Sequence, residues 1–186
     1  MIERGFKEHS SLLVQNVESI EAGGGIEVVR WGLLRPGRMK CFVDFAYAED
    51  QGDVAAVIFD AEGVVKWFGA KKVSFVSVMQ GELEALSFGV SLVRHLAEVG
   101  ADFYSDNLPL VSGLSEGRSP HWGIRFTFNK FCNDFDITRH FVVWISRVFN
   151  EAAHTLARWG LTHSCNGYLP FLEVSPHVLT KFLCLA

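Results

Sequence analysis

Between residues 40 and 72 the hydrophobic residues are concentrated in three short stretches rich in β-branched and aromatic side chains, a pattern typical of β-strands. The stretches cover residues 40–46, 54–60 and 64–72, and turn-forming Gly and Asp residues separate them. Because the connections are short, successive strands are expected to pair antiparallel. The pattern therefore predicts a three-stranded meander.

The hydrophobic spacing changes at residue 77 from the period of a strand to that of a helix. Apolar residues recur at helical intervals from Leu83 to Ala97, and Gly100 follows in a position that ends helices. Residues 101–105 form a short fourth strand in this pattern. Because a helical crossover leads to that strand, we expect it to run parallel to an earlier one.

Two further helices, a fifth strand and a last helix complete the pattern. Asn107 is a good N-cap for the first of these helices and Pro120 opens the second. The fifth strand covers residues 137–145 and the last helix residues 150–159. The order βββαβααβα predicts a mixed α/β domain whose five-stranded sheet has three antiparallel and two parallel strands.

The chain divides into three segments that differ in how regularly they are patterned. Residues 1–30 are predicted to be a weakly structured lead-in, with a short amphipathic helix around residues 12–20 that three glycines end. Residues 31–162 carry the strands and helices of the domain. Residues 163–186 show little regularity and are predicted to be a C-terminal tail.

Asp44 lies in the middle of the first strand, on the face that also carries Phe42 and Ala46. An ionised carboxylate in such a place is costly unless it is paired, hydrogen-bonded or bound to a cation. The strand offers no basic residue beyond Lys40 to pair with it. The sequence therefore predicts that other parts of the chain supply partners for Asp44.

Two other acids are placed to meet Asp44. Asp106 directly follows the fourth strand, and Glu82 lies near the start of the long helix. In such a sheet, the crevice at the carboxyl ends of parallel strands is the usual place for a site. Three converging carboxylates need cations, and their oxygen ligands favour hard divalent ions such as Mg²⁺ or Mn²⁺. Two such ions, about 3.5–4 Å apart, would suit the hydrolysis of a phosphodiester.

Taken singly, two of these acids also have ordinary structural explanations. Asp106 is placed to cap the helix that follows it, and the helix dipole favours an acid such as Glu82 in a first turn. Asp44 has no comparable explanation. The spacing alone leaves both a metal site and a set of structural acids open.

Composition and charge narrow the classes of function. The chain has 186 residues, 49% of them hydrophobic, and a formal net charge of −4, so no overall basic field attracts nucleic acid. Its four cysteines are widely spaced, as free thiols in a reducing compartment are. Neither a signal peptide nor an apolar run of membrane-spanning length is evident in the sequence. We therefore expect an intracellular monomer without a membrane segment.

Five segments taken together resemble the type 1 ribonuclease H fold. They are most similar to the ribonuclease H-like domains of plants, which are related to those of non-LTR retroelement reverse transcriptases. The segments are KCFVDFA (40–46, preceded by Trp31, Pro36 and Gly37), VIFDAEG (57–63), GELEAL (81–86), YSDN (104–107) and RVFNEAAHTLA (147–157). The resemblance implies that Asp44, Glu82 and Asp106 bind two Mg²⁺ or Mn²⁺ ions. It also implies that the domain cleaves the RNA strand of RNA/DNA hybrids.

The resemblance extends to residues beside the three acids. His154 stands where catalytic relatives carry a fourth acid, and it completes the predicted catalytic set as an auxiliary member. Arg147 lies in the loop that holds a proton-shuttling His in bacterial relatives, and it is predicted to contact phosphate. Asn107 and Asn150, which stand beside these residues in the matched segments, are predicted to contact the nucleic acid.

Two functions remain open from the sequence. The three retained acids favour a metal-dependent endoribonuclease derived from a retroelement. The absence of the fourth acid and of the loop His, together with the negative net charge, favours instead a non-catalytic module that keeps the fold and binds nucleic acid or another partner. The chain is also compatible with a fragment of a longer reverse transcriptase.

Overall fold

A six-stranded mixed sheet lies at the centre of the computed structural model, which describes residues 37–94, 96, 100–170, 172–174 and 177–178. The strands and helices in chain order are β1 (Met39–Ala48), β2 (Gln51–Phe59), β3 (Val65–Val73), α1 (Val78–Arg94), β4 (Ala101–Ser105), α2 (Leu108–Glu116), α3 (Arg125–Asp134), β5 (Phe141–Trp144), α4 (Glu151–Leu161) and β6 (Asn166–Leu169). Two 3₁₀ turns, Trp122–Ile124 and Arg147–Asn150, lead into α3 and α4. The predicted lead-in and its short helix lie outside the described residues.

The sheet has the strand order β5-β4-β1-β2-β3-β6. The pairs β1–β2 and β2–β3 are antiparallel, which confirms the predicted meander. The pairs β1–β4 and β4–β5 are parallel, as the helical crossover through α1 requires. The mixed α/β fold is therefore confirmed, and β1 lies between its antiparallel and its parallel half.

The two faces of β1 are covered by different helices. Cys41, Val43 and Phe45 belong to the core cluster that contains residues of α1, whereas Phe42 and Ala46 belong to the cluster that contains residues of α4. Burying one such side chain fully contributes about 1.5–3 kcal/mol, so both layers contribute substantially to the stability of the fold. Asp44 shares the second face and is therefore a carboxylate in an otherwise apolar layer.

The structure differs from the predicted pattern at two places near the carboxyl end. The segment predicted as an irregular tail contains β6, which pairs antiparallel with β3. The sequence signal for this strand is weak because Asn166 and Gly167 are poor strand formers, and the free edge of β3 provides the pairing partner instead. The fifth strand begins at Phe141 rather than at residue 137, because the side chain of Asp136 accepts hydrogen bonds from Thr138 and forms a turn.

A second buried carboxylate, Asp53, lies on β2 beneath the end of α4. Asp53 is fully buried, and within the described part of the chain neither of its carboxyl oxygens has a hydrogen-bond partner. A Cβ at Gly160 of α4 would overlap this carboxylate, so only glycine fits there. The nearest cation is Lys72, whose Nζ lies 3.8 Å from Oδ2 of Asp53 and donates to the carbonyl of Gly160. Burial raises the pKa of Asp53 to about 7, against the opposing charge of Lys72.

Replacing Asp53 by Asn is expected to stabilise the protein in a pH-dependent manner. The pKa of Asp53 is higher in the folded state than in the unfolded state, so the folded state binds more protons between about pH 4 and pH 7. The stability of the wild type should therefore fall as the pH rises through this window, whereas an amide does not titrate. The gap between the two proteins should grow to a few kcal/mol, at most about 4, above pH 7.

Denaturant unfolding of the two proteins across this pH range measures the gap. Asp134→Asn, which removes an exposed carboxylate from α3, is the matched control and should show no such trend. A stability gap between wild type and Asp53→Asn that stays constant with pH would contradict the assignment.

Candidate metal centre

Three elements bring Asp44, Glu82 and Asp106 to one edge of the sheet. Asp44 is in the middle of β1, and Asp106 follows the last residue of β4, the parallel neighbour of β1. Glu82 lies in the second turn of α1. Each residue offers a carboxylate oxygen such that the three oxygens lie within 4.8 Å of one another. The structure therefore brings together the three acids that the sequence singled out.

Gly81 determines how closely α1 approaches the sheet beside this cluster. A Cβ at position 81 would overlap the ring of Phe45 on β1, so the helix can pack at this distance only with glycine there. The ring of Phe45 also contacts the rings of Tyr47 and Phe75. This close packing places Glu82, the residue after Gly81, beside β1 with its side chain buried.

The three carboxylates lack sufficient polar partners. Asp44 is fully buried and Glu82 is 6% exposed, and among the described residues Oδ1 of Asp44 and Oε2 of Glu82 have no hydrogen-bond partner. Burial, together with the charges of Asp44 and Asp106, raises the pKa of Glu82 to about 9. Burial also raises the pKa of Asp44, although a hydrogen bond with His154 opposes this shift. A cation at the cluster would oppose both shifts, because it stabilises the charged form of each carboxylate.

Arg147, in the 3₁₀ turn before α4, is the cation nearest to the cluster among the described residues. Its Nη1 donates to Oδ2 of Asp106 at 2.8 Å and lies 3.6 Å from Oδ1 of Asp44. Burial opposes the charge on Arg147, but the hydrogen bond with Asp106 and the neighbouring carboxylates outweigh it and raise its pKa. The guanidinium is therefore always charged, and its side chain is half exposed at the mouth of the site.

His154 connects Arg147 to Asp44. Its Nδ1 lies 2.8 Å from Oδ2 of Asp44, and its Nε2 lies 3.1 Å from Nη2 of Arg147. Since the carboxylate can only accept and the guanidinium can only donate, the proton of the imidazole belongs on Nδ1, and Nε2 accepts. Nδ1 also lies 2.6 Å from Nη2, but in this tautomer that contact joins two donors. A neutral His154 thus uses both nitrogens within the protein.

Asn150, which the sequence predicts to contact nucleic acid, lies in the interior of the protein at the start of α4. Its side chain is fully buried, and Nδ2 donates to the carbonyl of Val43 at 2.8 Å. That bond joins the start of α4 to β1 at the residue before Asp44. Asn107 caps α2, as predicted, because its Oδ1 accepts from the backbone of Leu110. The structure therefore gives the side-chain oxygen of Asn107 a partner within the protein.

Trp144 is a neighbour of the site that the sequence pattern did not identify. Its indole Nε1 donates to the carbonyl of Asp106 at 3.2 Å. Trp144 is paired with Ser105 in the parallel register of β4 and β5, so this contact depends on the pairing of two strands distant in sequence. Only the position of Trp144 at the end of the fifth predicted strand, where β4 also ends, could have indicated it.

The donor set fits a hard divalent cation. All three side chains offer carboxylate oxygens, which are the ligands that Mg²⁺ and Mn²⁺ prefer. Two of these oxygens are buried without a hydrogen-bond partner within the described structure, an arrangement that is costly unless a cation is bound. The residues that would hold the ion are Asp44, Glu82 and Asp106.

Comparison with known proteins identifies the family. Residues 42–160 match the reverse transcriptase-like family, and this segment is well over half of the chain. The chain belongs to the reverse transcriptase-like family. Among curated protein sequences, no match to the chain is found.

Solved structures of ribonucleases H share the fold of this reverse transcriptase-like domain. The RNase H1 of the archaeon Halobacterium salinarum is 18% identical, with a TM-score of 0.60 over 67% of this chain and 98% of its own. The N-terminal RNase H domain of a Mycobacterium tuberculosis protein is 15% identical, with a TM-score of 0.58 over 67% and 93%. A compost-derived RNase H1, solved in complex with an RNA/DNA hybrid, is 14% identical, with a TM-score of 0.56 over 67% and 96%. The predicted ribonuclease H-like fold is thereby confirmed.

Proposed function

We propose that this reverse transcriptase-like domain is a divalent-metal-dependent endoribonuclease that cleaves the RNA strand of RNA/DNA hybrids. The observation that carries the proposal is the convergence of three carboxylates, two of whose oxygens are buried and have no hydrogen-bond partner among the described residues. The fold supports it, because one relative of the same fold was solved with a bound RNA/DNA hybrid. Mg²⁺ or Mn²⁺ is the proposed ion.

The side chains around the cluster suit phosphodiester hydrolysis. A bound divalent ion would neutralise the carboxylates, polarise a phosphate oxygen and activate water for attack. Asp44 is held rigidly because it lies within a central strand and bonds to His154. Arg147 extends from the cluster toward solvent, where its free donors can hold a phosphate of the incoming strand. The cationic donors of Arg147 would therefore lie beside the proposed hydrolytic centre.

A second candidate function is a nucleic-acid-binding module that has lost catalysis. The observation that favours it is that Arg147 and His154 already bond to Asp44 and Asp106 within the protein. A protein of this kind would bind hybrid equally well with and without divalent metal. The two functions therefore differ in a property that can be measured directly.

Incubation of the purified protein with an end-labelled RNA/DNA hybrid and Mg²⁺ or Mn²⁺ tests the proposal. We expect internal cleavage of the RNA strand, with neither the DNA strand nor duplex DNA cut, and loss of cleavage when the metal is chelated. Glu82→Gln should reduce the rate by on the order of 10²–10³-fold, because it removes a charge at the reacting centre. Glu84→Gln, the same change two residues along α1, points to another face of the helix and should leave the rate unchanged.

Hybrid binding without cleavage, unaffected by metal or by Glu82→Gln, would instead establish the binding module. Cleavage that both variants reduce equally would remove Glu82 from the site. Cleavage that persists after chelation would end the proposal of a metal-dependent enzyme.

The proposal includes an intracellular monomer of retroelement origin. The description of the family as reverse transcriptase-like supports that origin. The described cysteines Cys41, Cys132 and Cys165 are free thiols, which is the usual state in a reducing compartment. Among the helices that the structure describes, none combines the length and the apolar character needed to cross a bilayer.

A further inference from the structure

The oxygens of Asp44 are divided between two different surroundings. Oδ2 bonds to Nδ1 of His154, whereas Oδ1 has no hydrogen-bond partner in the described structure and lies 3.6 Å from Nη1 of Arg147. A carboxylate that bridges two metal ions presents one oxygen to each. Only one oxygen of Asp44 is available here, so Asp44 can serve one ion while His154 stays in place.

The space next to Oδ2 of Asp44 is filled by the side chain of His154, which in turn contacts Arg147. Nδ1 of His154 donates to Asp44 and Nε2 accepts from Arg147, so neither imidazole nitrogen is free to bind a metal. Nη1 of Arg147 in turn donates to Oδ2 of Asp106. The guanidinium and the imidazole thus form a continuous bridge from Asp106 to Asp44 across one side of the cluster.

The balance of charge at the cluster also favours a single divalent ion. When a bound cation keeps all three carboxylates ionised, they carry three negative charges, and Arg147 brings one positive charge into contact with two of them. One divalent ion together with Arg147 balances the cluster, whereas two divalent ions would leave an excess of two positive charges. A fourth carboxylate at position 154 without Arg147 would balance two ions. Excess like charge in a buried site is strongly unfavourable.

We propose that Arg147 and His154 occupy the place of a second metal ion, so that the site binds a single divalent cation. This inference rests on the proposed function and replaces the two ions that the sequence predicted with one ion and one guanidinium. The ion is held by Asp44, Glu82 and Asp106. Arg147 supplies the second positive charge and therefore stays beside any phosphate that enters.

Counting bound Mn²⁺ tests the proposal without any measurement of activity. Electron paramagnetic resonance of free Mn²⁺, in a titration to millimolar concentration, should give one ion per wild-type chain. The double variant Arg147→Met/His154→Asp should bind two. The matched control, Arg158→Met/His121→Asp, makes the same two changes at exposed positions and should bind one. An Asp at position 121 can still accept the hydrogen bond from Gly123 that His121 accepts now.

Two ions in the wild type, or one in the double variant, would overturn the single-ion proposal and leave the proposed function intact. No ion in the wild type would overturn both. Arg147→Met alone gives a second test that does not depend on the double variant folding. Removing the competing cation should tighten the binding of the single ion by about tenfold, equivalent to about 1.4 kcal/mol. An unchanged affinity would exclude Arg147 from competition with the metal.

Discussion

Replacing Asp44 by Asn is expected to abolish hybrid cleavage and, at the same time, to make the metal-free protein more stable. Asp44 is fully buried, and burial raises its pKa, which means that the fold disfavours its charge. Asn has nearly the same shape, and its amide oxygen can still accept from His154. The variant should therefore gain about 1–3 kcal/mol without metal. At this chain length each kcal/mol raises the melting temperature by about 2–4 °C.

Melting curves with and without Mn²⁺, run beside the hybrid assay, check both halves of this expectation. The wild type should be stabilised by the metal through mass action, and Asp44→Asn should not. Asp134→Asn, at an exposed position of α3, should behave as the wild type in both assays. An Asp44→Asn protein that is less stable than the wild type without metal would mean that Asp44 is a structural acid.

Replacing His154 by Asp should have the opposite effect on stability and should increase activity. The change removes the hydrogen bond between His154 and Asp44 and places a fourth carboxylate beside a buried one. Without metal we expect a loss of about 2–4 kcal/mol, because a buried charge loses its partner and gains a repulsive neighbour. With metal, the added negative charge beside Asp44 attracts the cation more strongly, so affinity and cleavage rate should both rise by about tenfold.

Denaturant unfolding of the wild type and of His154→Asp at increasing Mn²⁺ concentration measures the difference in their stability. Hybrid cleavage is measured on the same samples. The stability gap between the wild type and His154→Asp should close as the metal concentration rises. His121→Asp adds the same charge at an exposed N-cap and should alter neither quantity. If His154→Asp leaves metal affinity and rate unchanged, His154 lies outside the functional site.

The core topology of this domain could be predicted because it follows from local signals. Short turns between strands impose antiparallel pairing, and the helical crossover through α1 imposes parallel pairing of β1 with β4. These two rules place Asp106, at the carboxyl end of β4, beside the middle of β1, where Asp44 lies. The position of Asp44 in an apolar strand also predicts a partner for it, because burying an unpaired carboxylate costs free energy.

The surroundings of the acids could not be predicted, because they depend on contacts distant in sequence. The hydrogen bond from His154 joins residues 110 positions apart, and the bond from Asn150 to Val43 spans 107. Side-chain directions in the turn before α4 decide that Arg147 points into the cluster and that Asn150 is buried. Motif spacing does not contain these directions, so it predicts neither the burial of Asn150 nor the contacts of Arg147 with Asp44 and Asp106.

The strand β6 and the burial of Asp53 also depend on contacts between residues distant in sequence, so the local pattern does not predict them. A weak strand sequence such as that of Asn166–Leu169 forms a strand only because the edge of β3 is available. Asp53 directly precedes the predicted strand 54–60, where an acid is ordinary, and it becomes unusual only when α4 packs over it with Gly160 against the carboxylate. Tertiary packing creates both features.

Calorimetric titration of Mn²⁺ into the wild type and into Asp44→Asn shows whether the converged carboxylates form a metal centre. We expect saturable binding to the wild type and its loss in Asp44→Asn, with Asp134→Asn binding as the wild type does. Binding of equal affinity to the wild type and to Asp44→Asn, or no binding to the wild type at all, would mean that these carboxylates do not form a metal centre.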